Sequence, residues 1–453
     1  MRVGDEWRAR NLNGCPQNWV PLAMRCGTVA GTPFRPGEIN PVDEENNAAY
    51  AMLRFRHEFS SGLNLSGNIG VRYSHTTREA AGTQVFSQVT FSTELACTTP
   101  QLDPETGQPL PPTPFCALPA DVRQAARNFA NGAIATNMAK LSYDYVLPSL
   151  NLKAEVGGGV QFRFAYSKSI TPPDFGLTRN FYTLTLAANQ EDIVAGGGRP
   201  IARATVGNPN LKPITSDNFD LSAEYYFNRG GVGQLTLAAF YKRLHGVLTN
   251  GTERIPFTNN GATFDAIVTT PVNSEETGKI KGFELAYQQV YDFLPGFLSG
   301  LGLNATYTFV DSSGVKQSTL SETDPDVAAG NTANIDTSLL PLQGLSKHTI
   351  NIQPFYEKGP LTIRLAYNWR SRFLLTTRDV IVPFAPIFNE PTGQLDGSIF
   401  FTVNKRIRVG IQAVNILNEV TKTSQVINND LIRAPRSWFM NDRRFSGIIR
   451  VTM

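Results

Sequence analysis

The sequence predicts an all-β fold, a transmembrane antiparallel β-barrel, and three observations lead to this fold class. Segments of about ten residues alternate apolar with polar side chains, which is the period of a strand that buries one face. The connections between these segments alternate between short and long. Charged residues make up only 17% of the 453 residues, against roughly 25% in soluble domains.

The segment LTIRLAYNWRS at 361–371 shows the alternation clearly. Leu361, Ile363 and Leu365 fall on one face, and Arg364 falls on the other. An arginine on the lipid face at the membrane midplane would cost about 2–4 kcal/mol, so Arg364 is expected to face a water-filled interior. Thirteen such strands are predicted, at 49–59, 63–75, 144–156, 160–170, 218–228, 233–245, 279–291, 300–311, 347–357, 361–372, 394–403, 406–417 and 443–453. Aromatic side chains near strand ends suit the girdles at the two membrane interfaces: Tyr73, Tyr166, Tyr241, Phe309 and Trp369.

The connections carry the second signal. The short ones are SSG, GGG, NRGG, EKGP and NKR, and long connections lie between them. This rhythm is typical of an outer-membrane barrel with short periplasmic turns and long external loops. One long loop, 118–137, is predicted to contain a helix with Asp121 as its N-cap. A soluble β-sandwich or β-helix also alternates, but sandwich strands are usually shorter, about 5–6 residues.

Composition and motifs exclude several function classes. The net charge of +3 comes without a Lys/Arg run, so nucleic acid is not an expected partner. No apolar stretch is long enough for a membrane-spanning helix, and the first residues lack the apolar core of a signal peptide. The four histidines are scattered and no nucleophile or phosphate motif occurs. We therefore expect no catalytic residues and no cofactor.

No metal site is expected either. The acidic loop 322–336 could offer oxygen ligands to calcium, but an ordinary solvated loop explains it better. The cysteines form two local pairs in loop-like segments, Cys15 with Cys26 and Cys97 with Cys116. We predict two disulfides in an oxidising compartment; four reduced surface cysteines are the alternative.

Several segments together resemble the barrel of a TonB-dependent outer-membrane receptor, closest to a large subfamily often associated with carbohydrate uptake. They lie at 142–156, 162–175, 207–227, 235–248, 280–289, 340–359 and 395–419. The block GNPNLKP at 207–213, followed by an amphipathic strand pair, is the most specific of these signals. The resemblance covers nearly everything from about residue 45 to the end.

The resemblance implies a barrel of about 22 strands filled by an N-terminal plug, with ligand bound on the external side. It implies integral residence in the bacterial outer membrane, contact with its lipid, and insertion by the barrel-assembly machinery. It also implies coupling to the TonB–ExbB–ExbD complex through a TonB box in an N-terminal region. Laid on this plan, residues 1–48 are an external loop segment and residues 49–453 are a partial barrel containing about the last thirteen strands.

Two departures from the family pattern lead us to expect a truncated fragment. The plug, the TonB box and about nine strands are absent from the sequence, and Met453 stands where the family usually ends on an aromatic residue. Thirteen antiparallel strands would leave two edges that run the same way. Each edge would expose about ten backbone polar groups to lipid.

The expected function is uptake of a bulky nutrient, such as an oligosaccharide or a siderophore–iron complex, energised by TonB. A passive porin-like or structural barrel and a soluble secreted polysaccharide-binding β-protein are the alternatives. Candidate substrate-binding residues combine aromatic, amide and charged groups in one long loop: Arg179, Asn180, Phe181, Tyr182 and Gln190. Charges expected to face the interior are further candidates, unless they pair with plug residues or with each other: Arg163, Glu224, Glu284, Arg364 and Arg370.

Overall fold

The structure is a computed structural model. It describes residues 21–35, 38–99, 101–103, 105–227, 232–314, 335–336, 339–379 and 385–452. Cys15, residues 322–334 of the acidic loop and Met453 lie outside the described residues.

The described residues form 21 strands and three α-helices. In chain order the strands are β1 Val42–Glu58, β2 Asn64–Phe86, β3 Ile134–Gly157, β4 Val160–Thr171, β5 Tyr182–Ala187, β6 Ile201–Thr205, β7 Ile214–Phe227, β8 Gly233–His245, β9 Leu248–Asn259, β10 Ala262–Asn273, β11 Gly278–Val290, β12 Leu301–Ser313, β13 His348–Lys358, β14 Leu361–Arg370, β15 Phe373–Thr376, β16 Ile387–Asn389, β17 Thr392–Thr402, β18 Ile407–Val414, β19 Val420–Val426, β20 Arg433–Met440 and β21 Arg444–Val451. The helices are α1 Glu94–Thr98, α2 Ala120–Phe129 and α3 Gln190–Ala195. Of the described helices, none is both long and apolar enough to cross a membrane.

Thirteen of these strands follow one another in a single antiparallel series: β1, β2, β3, β4, β7, β8, β11, β12, β13, β14, β17, β18 and β21. Each corresponds to one predicted segment, so the predicted number and order of these strands are confirmed. The eight remaining strands lie inside the long connections, where the sequence showed no regular alternation.

Three strands are much longer than predicted. β1 begins at Val42 instead of residue 49, β2 runs 23 residues to Phe86, and β3 begins at Ile134. A tilted strand needs only about 9–11 residues to cross the hydrocarbon layer, so the extra length continues beyond the membrane on the side of the long loops. There both faces of the hairpin can be polar, which explains why the period-two signal stops short of the true ends.

The sheet has two edges in the described residues. β1 pairs along its length with β2, and β21 pairs with β18. No described pairing joins β1 to β21. Because the series contains an odd number of antiparallel strands, the two edge strands run in the same direction, as expected from the sequence.

The register divides the sheet into a polar inner face and an apolar outward face. Arg163 lies opposite Ser222, Ser222 opposite Ala238, and Ala238 opposite Glu284. The same row continues through β12 and β13 to Arg370. Side chains alternate between the faces of each strand, so this row identifies the inner residues of every strand it crosses.

The outward face carries the predicted aromatic residues, namely Tyr73, Tyr166, Tyr241, Phe309 and Trp369. Tyr166 lies opposite Phe219, and their ring centroids are 5.0 Å apart. Phe283 and Phe309 stack at 5.6 Å in the same region. These rings form a belt at the end of the apolar band that is nearer the long loops, which is the position of an interfacial girdle.

Parts of three long connections pack into one body, here called the outer lobe, which consists of residues 86–133, 182–206 and 248–273. β5 pairs in parallel with the last residues of β2, β6 pairs with β5, and β10 pairs with β6. The core of the outer lobe is built from Phe86, Phe129 and Phe264. Phe129 makes edge contacts with both other rings, at 5.1 and 5.3 Å.

A disulfide and a buried arginine cross-link segments of the outer lobe. Cys97 and Cys116 are bonded to each other, which confirms this predicted pair. Cys26 is also disulfide-bonded. Arg123 is 8% exposed and donates to the backbone oxygens of Cys116 and Leu118 and to the Glu94 carboxylate.

Helix α2 confirms the predicted helix but corrects its limits and its cap. Its N-cap is Pro119, with no side-chain cap hydrogen bond, so the prediction of Asp121 as N-cap is wrong. Asp121 lies in the first turn instead, where its negative charge still favours the N-terminus of the helix. The helix ends at Phe129, where the C-cap Ala130 leaves helical geometry with φ −90° and ψ 56°. Gly132 then turns the chain with a left-handed φ of 81°, and β3 begins two residues later.

The remaining long connections form a second body. β15, β16, β19 and β20 make a four-stranded antiparallel sheet. Its apolar side buries Leu340, Leu374, Phe388 and Val426. Both bodies lie at the end of the main sheet that carries the long loops.

Candidate functional site

The predicted interior charges all lie on the inner face of the sheet. Arg163 and Glu224 come together, with the Nε of Arg163 2.9 Å from the Oε1 of Glu224. Glu224 also accepts hydrogen bonds from the hydroxyls of Ser222 and Tyr226, at 3.0 and 2.8 Å. Its side chain is only 11% exposed. The Arg163–Glu224 pair is therefore held by hydrogen bonds within the sheet, and the Glu224 carboxylate has little hydrogen-bonding capacity left for a ligand.

Beside this pair lies an open cavity of about 450 Å³, here called the inner-wall cavity. Its charged lining residues are Arg163, Asp220, Lys242 and Glu284. Glu284 is exposed, and Lys242 donates to the Oδ1 of Asn218 at 3.2 Å. The sequence analysis did not single out Asp220 or Lys242. The strand alternation would have found Asp220, because it shares the parity of Glu224 on β7. No inner residue was predicted on β8, and the register with β7 places Lys242 on the inner face.

Arg364 and Arg370 lie on the same face of β14 but have different partners. Arg364 is 66% exposed and forms a loose ion pair with Glu357, at 3.4 Å. Arg370 donates from Nε to the Ser346 hydroxyl and from Nη2 to the Gly344 carbonyl oxygen, at 2.8 and 2.9 Å. Arg370 thus holds the connection before β13 in place, while Arg364 remains accessible from the interior.

The connection between β4 and β7 folds inward over the sheet. A Cβ added to Gly82 would lie 1.4 Å from the backbone oxygen of Asn180, and one added to Gly207 would lie 2.3 Å from that of Arg179. Gly82 belongs to the inner face of β2. The backbone of residues 179–180 therefore lies directly against the inner face, where only glycine leaves room for it.

Asn180 is the anchor of this inward segment. It is 1% exposed, its Nδ2 donates to the backbone oxygen of Ala80 at 3.0 Å, and its Oδ1 accepts from Asn137 at 2.8 Å. Both ends of the amide are used within the fold. Among the predicted binding residues Asn180 therefore has a positioning role, and we do not include it in the candidate site.

The other predicted binding residues of this loop lie next to Asn180 or follow it in the chain. The exposed guanidinium of Arg179 lies 4.9 Å from the centroid of the Phe181 ring, within the range of a cation–π contact. Tyr182 packs against Phe257, with centroids 5.8 Å apart, and burial raises the pKa of its hydroxyl. Gln190 is exposed at the start of α3. Arg179 and Phe181 are thus the two loop residues best placed to meet a ligand.

The block at 207–213 clamps this loop to the inner face. Arg78, 1% exposed, donates to the Leu211 carbonyl oxygen at 2.8 Å and to the Glu44 carboxylate at 2.8 and 2.9 Å. The Asn273 side chain bonds both the amide and the carbonyl oxygen of Lys212. The sequence analysis used this block for recognition and missed Arg78, whose partner Leu211 is more than a hundred residues away. It also missed Glu44, which the pairing of β1 with β2 brings to Arg78.

The chain matches one family model and many solved structures. The family described as "TonB dependent receptor-like, beta-barrel" matches residues 3–416. No curated protein matches the sequence.

Three solved structures illustrate the likeness in fold. The ferric-catecholate import receptor Fiu of E. coli K12 is 11% identical, with a TM-score of 0.50, over 90% of this chain and 45% of that one. A mutant of the ferric enterobactin receptor PfeA of Pseudomonas aeruginosa is 13% identical, with a TM-score of 0.50, over 90% and 54%. The siderophore receptor PirA of Acinetobacter baumannii is 13% identical, with a TM-score of 0.47, over 91% and 55%. The chain spans about half the length of these structures.

The family match extends over most of the thirteen-strand sheet described above. Members of this family are outer-membrane transport receptors and not enzymes. The match to residues 3–416, together with a sheet that is apolar outside and charged inside, shows that this chain belongs to the TonB-dependent receptor β-barrel family of the outer membrane.

Proposed function

We propose that the chain supplies part of the barrel of a receptor that imports a bulky nutrient, with the TonB–ExbB–ExbD complex as its energy source. The observation that carries this proposal is the inner face, where charged side chains meet an inward-folded loop. A surface of this kind suits a polar ligand that passes through the interior. The family supports energy coupling, since its members interact with TonB–ExbB–ExbD.

The proposed division of the chain follows the same plan. Residues 1–48 would belong to an external loop segment and residues 49–453 to the barrel portion. β1 already begins at Val42, but its first residues pair with the part of β2 beyond the apolar band. Membrane lipid and the barrel-assembly machinery are the further partners that this placement implies.

Of the two nutrient classes, we propose a siderophore–iron complex as the first to test and an oligosaccharide as the second. Arg179 over Phe181 offers a cation and a ring to an anionic aryl ligand, and the inner-wall cavity adds Arg163 and Lys242. Two receptors of similar fold, Fiu and PfeA, are described as a ferric-catecholate and a ferric enterobactin receptor, and this supports testing the siderophore class first. Sugar rings would use the same aromatic and amide groups, so binding must decide between them.

The test is uptake of radiolabelled ferric catecholate by cells that produce the receptor, with and without a functional TonB. We expect uptake that requires both proteins. Arg179→Ala should weaken binding about tenfold, the value of a lost charge-assisted contact. Arg199→Ala is the matched control, because Arg199 lies over Phe264 at 5.2 Å within the outer lobe.

Two results would contradict the proposal. Uptake that continues without TonB would indicate a passive barrel. Tight binding of an oligosaccharide, with no binding of ferric catecholate, would assign the site to the other nutrient class.

A further inference from the structure

The turn between β11 and β12 differs from the other turns at the periplasmic end of the main sheet. It spans residues 291–300, and we call it the aromatic turn. It reads YDFLPGFLSG and contains one charged residue, Asp292. The other five turns have two to five residues, mainly glycine, polar and charged, and lie at 59–63, 158–159, 228–232, 359–360 and 403–406. Two to five residues suffice to join antiparallel neighbours, so the length and apolar character of the aromatic turn need another explanation.

The aromatic turn has a defined fold that the neighbouring hairpin holds in place. Residues Gly296–Gly300 form a short 3-10 helix. Lys358, at the end of β13, donates from Nζ to the Gly296 carbonyl oxygen and, at 2.6 Å, to the hydroxyl oxygen of Ser299. The Ser299 hydroxyl in turn donates to the Gly296 carbonyl oxygen at 3.0 Å. The side chains of the turn are therefore held in one direction relative to the sheet.

That direction is toward the outward face. Leu301 shares the outward face of β12 with Phe309, and it lies opposite Tyr356. Lys358 has the same parity as Tyr356 on β13. A Cβ added to Gly300 would lie 2.6 Å from the Cβ of Lys358 and 3.0 Å from the Cε2 of Tyr356. The end of the turn therefore packs on outward-facing side chains, beside the lipid-facing surface and not over the interior.

The largest side chains of the turn are exposed at this place. Phe297 is 72% exposed and Phe293 is 55% exposed. The rings of Phe293 and Tyr291 are in edge contact, with centroids 6.0 Å apart. Aromatic rings are enriched where hydrocarbon gives way to headgroups, and the outward face of the sheet leads directly to this level.

We propose that the aromatic turn is a membrane anchor that inserts Phe293 and Phe297 into the periplasmic leaflet of the outer membrane. Lipid is the partner because the turn continues the surface of the sheet that faces lipid. Segments that lie in the interface bury their apolar side by about 5–10 Å at the boundary between headgroups and acyl chains. At that depth the backbone polar groups of the turn still reach water, which the hydrocarbon core would not allow. The anchor fixes the depth of this side of the sheet in the membrane.

The experiment measures the surroundings of a nitroxide spin label on the full chain in lipid vesicles. No described cysteine is free, so an introduced cysteine can be labelled selectively. Phe297→Cys tests the turn. Leu285→Cys, on the outward face of β11, is the lipid reference, and Val194→Cys, 68% exposed in α3 of the outer lobe, is the water reference.

We expect the label at 297 to relax more with oxygen, which concentrates in lipid, than with a water-soluble nickel chelate, as the label at 285 does. The label at 194 should respond in the opposite sense. A label at 297 that responds mainly to nickel would place the turn in periplasmic water, available to a soluble protein. Protection from both reagents would place it against protein. Either result, or a water-like label at 285, would overturn the proposal.

A second measurement tests the contribution of the two rings to folding in the membrane. Half-burial of one phenylalanine is worth about tenfold in an equilibrium constant. Phe293→Ser with Phe297→Ser should therefore lower the folding equilibrium in vesicles about 100-fold. Val194→Ser, the matched control at an equally exposed apolar position, should leave it unchanged. Equal stability of the double variant and the unaltered protein would also overturn the proposal.

Discussion

At the scale of single residues, buried polar and charged side chains hold loops in place, and exposed charged side chains are left for ligands. Arg78, Arg123 and Asn180 are each at least nine-tenths buried. Arg78 and Asn180 donate to backbone oxygens of distant segments, and Arg123 donates to backbone oxygens of its own loop. Arg179 and Glu284 are exposed. This division separates the residues that shape the interior from those that could contact a nutrient.

Replacing Arg78 by methionine should be strongly destabilising. The substitution leaves the Glu44 carboxylate, with 16% of its side chain exposed, without its partner, and it removes the donor to Leu211. Breaking a buried ion pair in this way costs about 3–5 kcal/mol. Urea unfolding of the protein in lipid vesicles measures the loss. Arg56→Met is the matched control: its pair with Glu58 is exposed, and the cost should not exceed about 1 kcal/mol.

The outer lobe should loosen in acid through Glu94. A hydrogen bond from Arg123, and secondarily one from Arg127, lowers the pKa of the Glu94 carboxyl below its usual value of 4.5. A carboxyl with a depressed folded pKa stabilises fully above its unfolded pKa, and this contribution is lost as the pH falls through the folded value. Amide exchange in α1 and α2 should therefore increase below pH 4.5. In Glu94→Gln this pH dependence should disappear; if it persists, another group is responsible.

At the scale of elements, loop folding depends on glycines that let one backbone approach another. Gly82 in β2 and Gly207 before β7 receive the segment around Asn180 from two sides. The strand β2 therefore crosses the membrane and, farther along toward the long loops, packs against the inward loop.

Gly82→Ala should displace the inward loop. The new Cβ would lie 1.4 Å from the Asn180 backbone oxygen, and backbone cannot yield as a flexible side chain can. Overpacking of this kind costs about 1–3 kcal/mol. Limited proteolysis should show faster cleavage near residues 177–182. Gly447→Ala is the control, since a Cβ there meets nothing within 4 Å; equal proteolysis in both variants would contradict the assignment.

At the scale of the whole molecule, one sheet separates lipid from water. Its thirteen-strand series is apolar on the outward face, and Arg163, Glu284 and Arg364 lie on the inner face. The free energy of insertion should therefore depend on the face of a new charge more than on its strand.

Two neighbouring positions on β14 test this sidedness. Leu365→Arg would place the charge in lipid and should cost about 2–4 kcal/mol near the midplane. Ala366→Arg would place it on the inner face opposite Asp396, where a cross-strand pair of opposite charge is favourable. Folding into vesicles, followed by the heat-dependent shift in gel mobility, compares the two. Equal folding yields would mean that the outward face does not meet lipid.

Local alternation along the chain specifies the strands and their faces, whereas contacts between distant residues specify how the loops fold. All thirteen strands and the inward direction of Arg364 followed from local alternation, because a strand between lipid and water must alternate at every residue. The outer lobe, the extensions of β2 and β3, and the inward fold of residues 179–180 left no such signal. Their stability comes from contacts such as Arg78 with Leu211 and Gly82 with Asn180, which join residues far apart in the chain and have no period in the sequence.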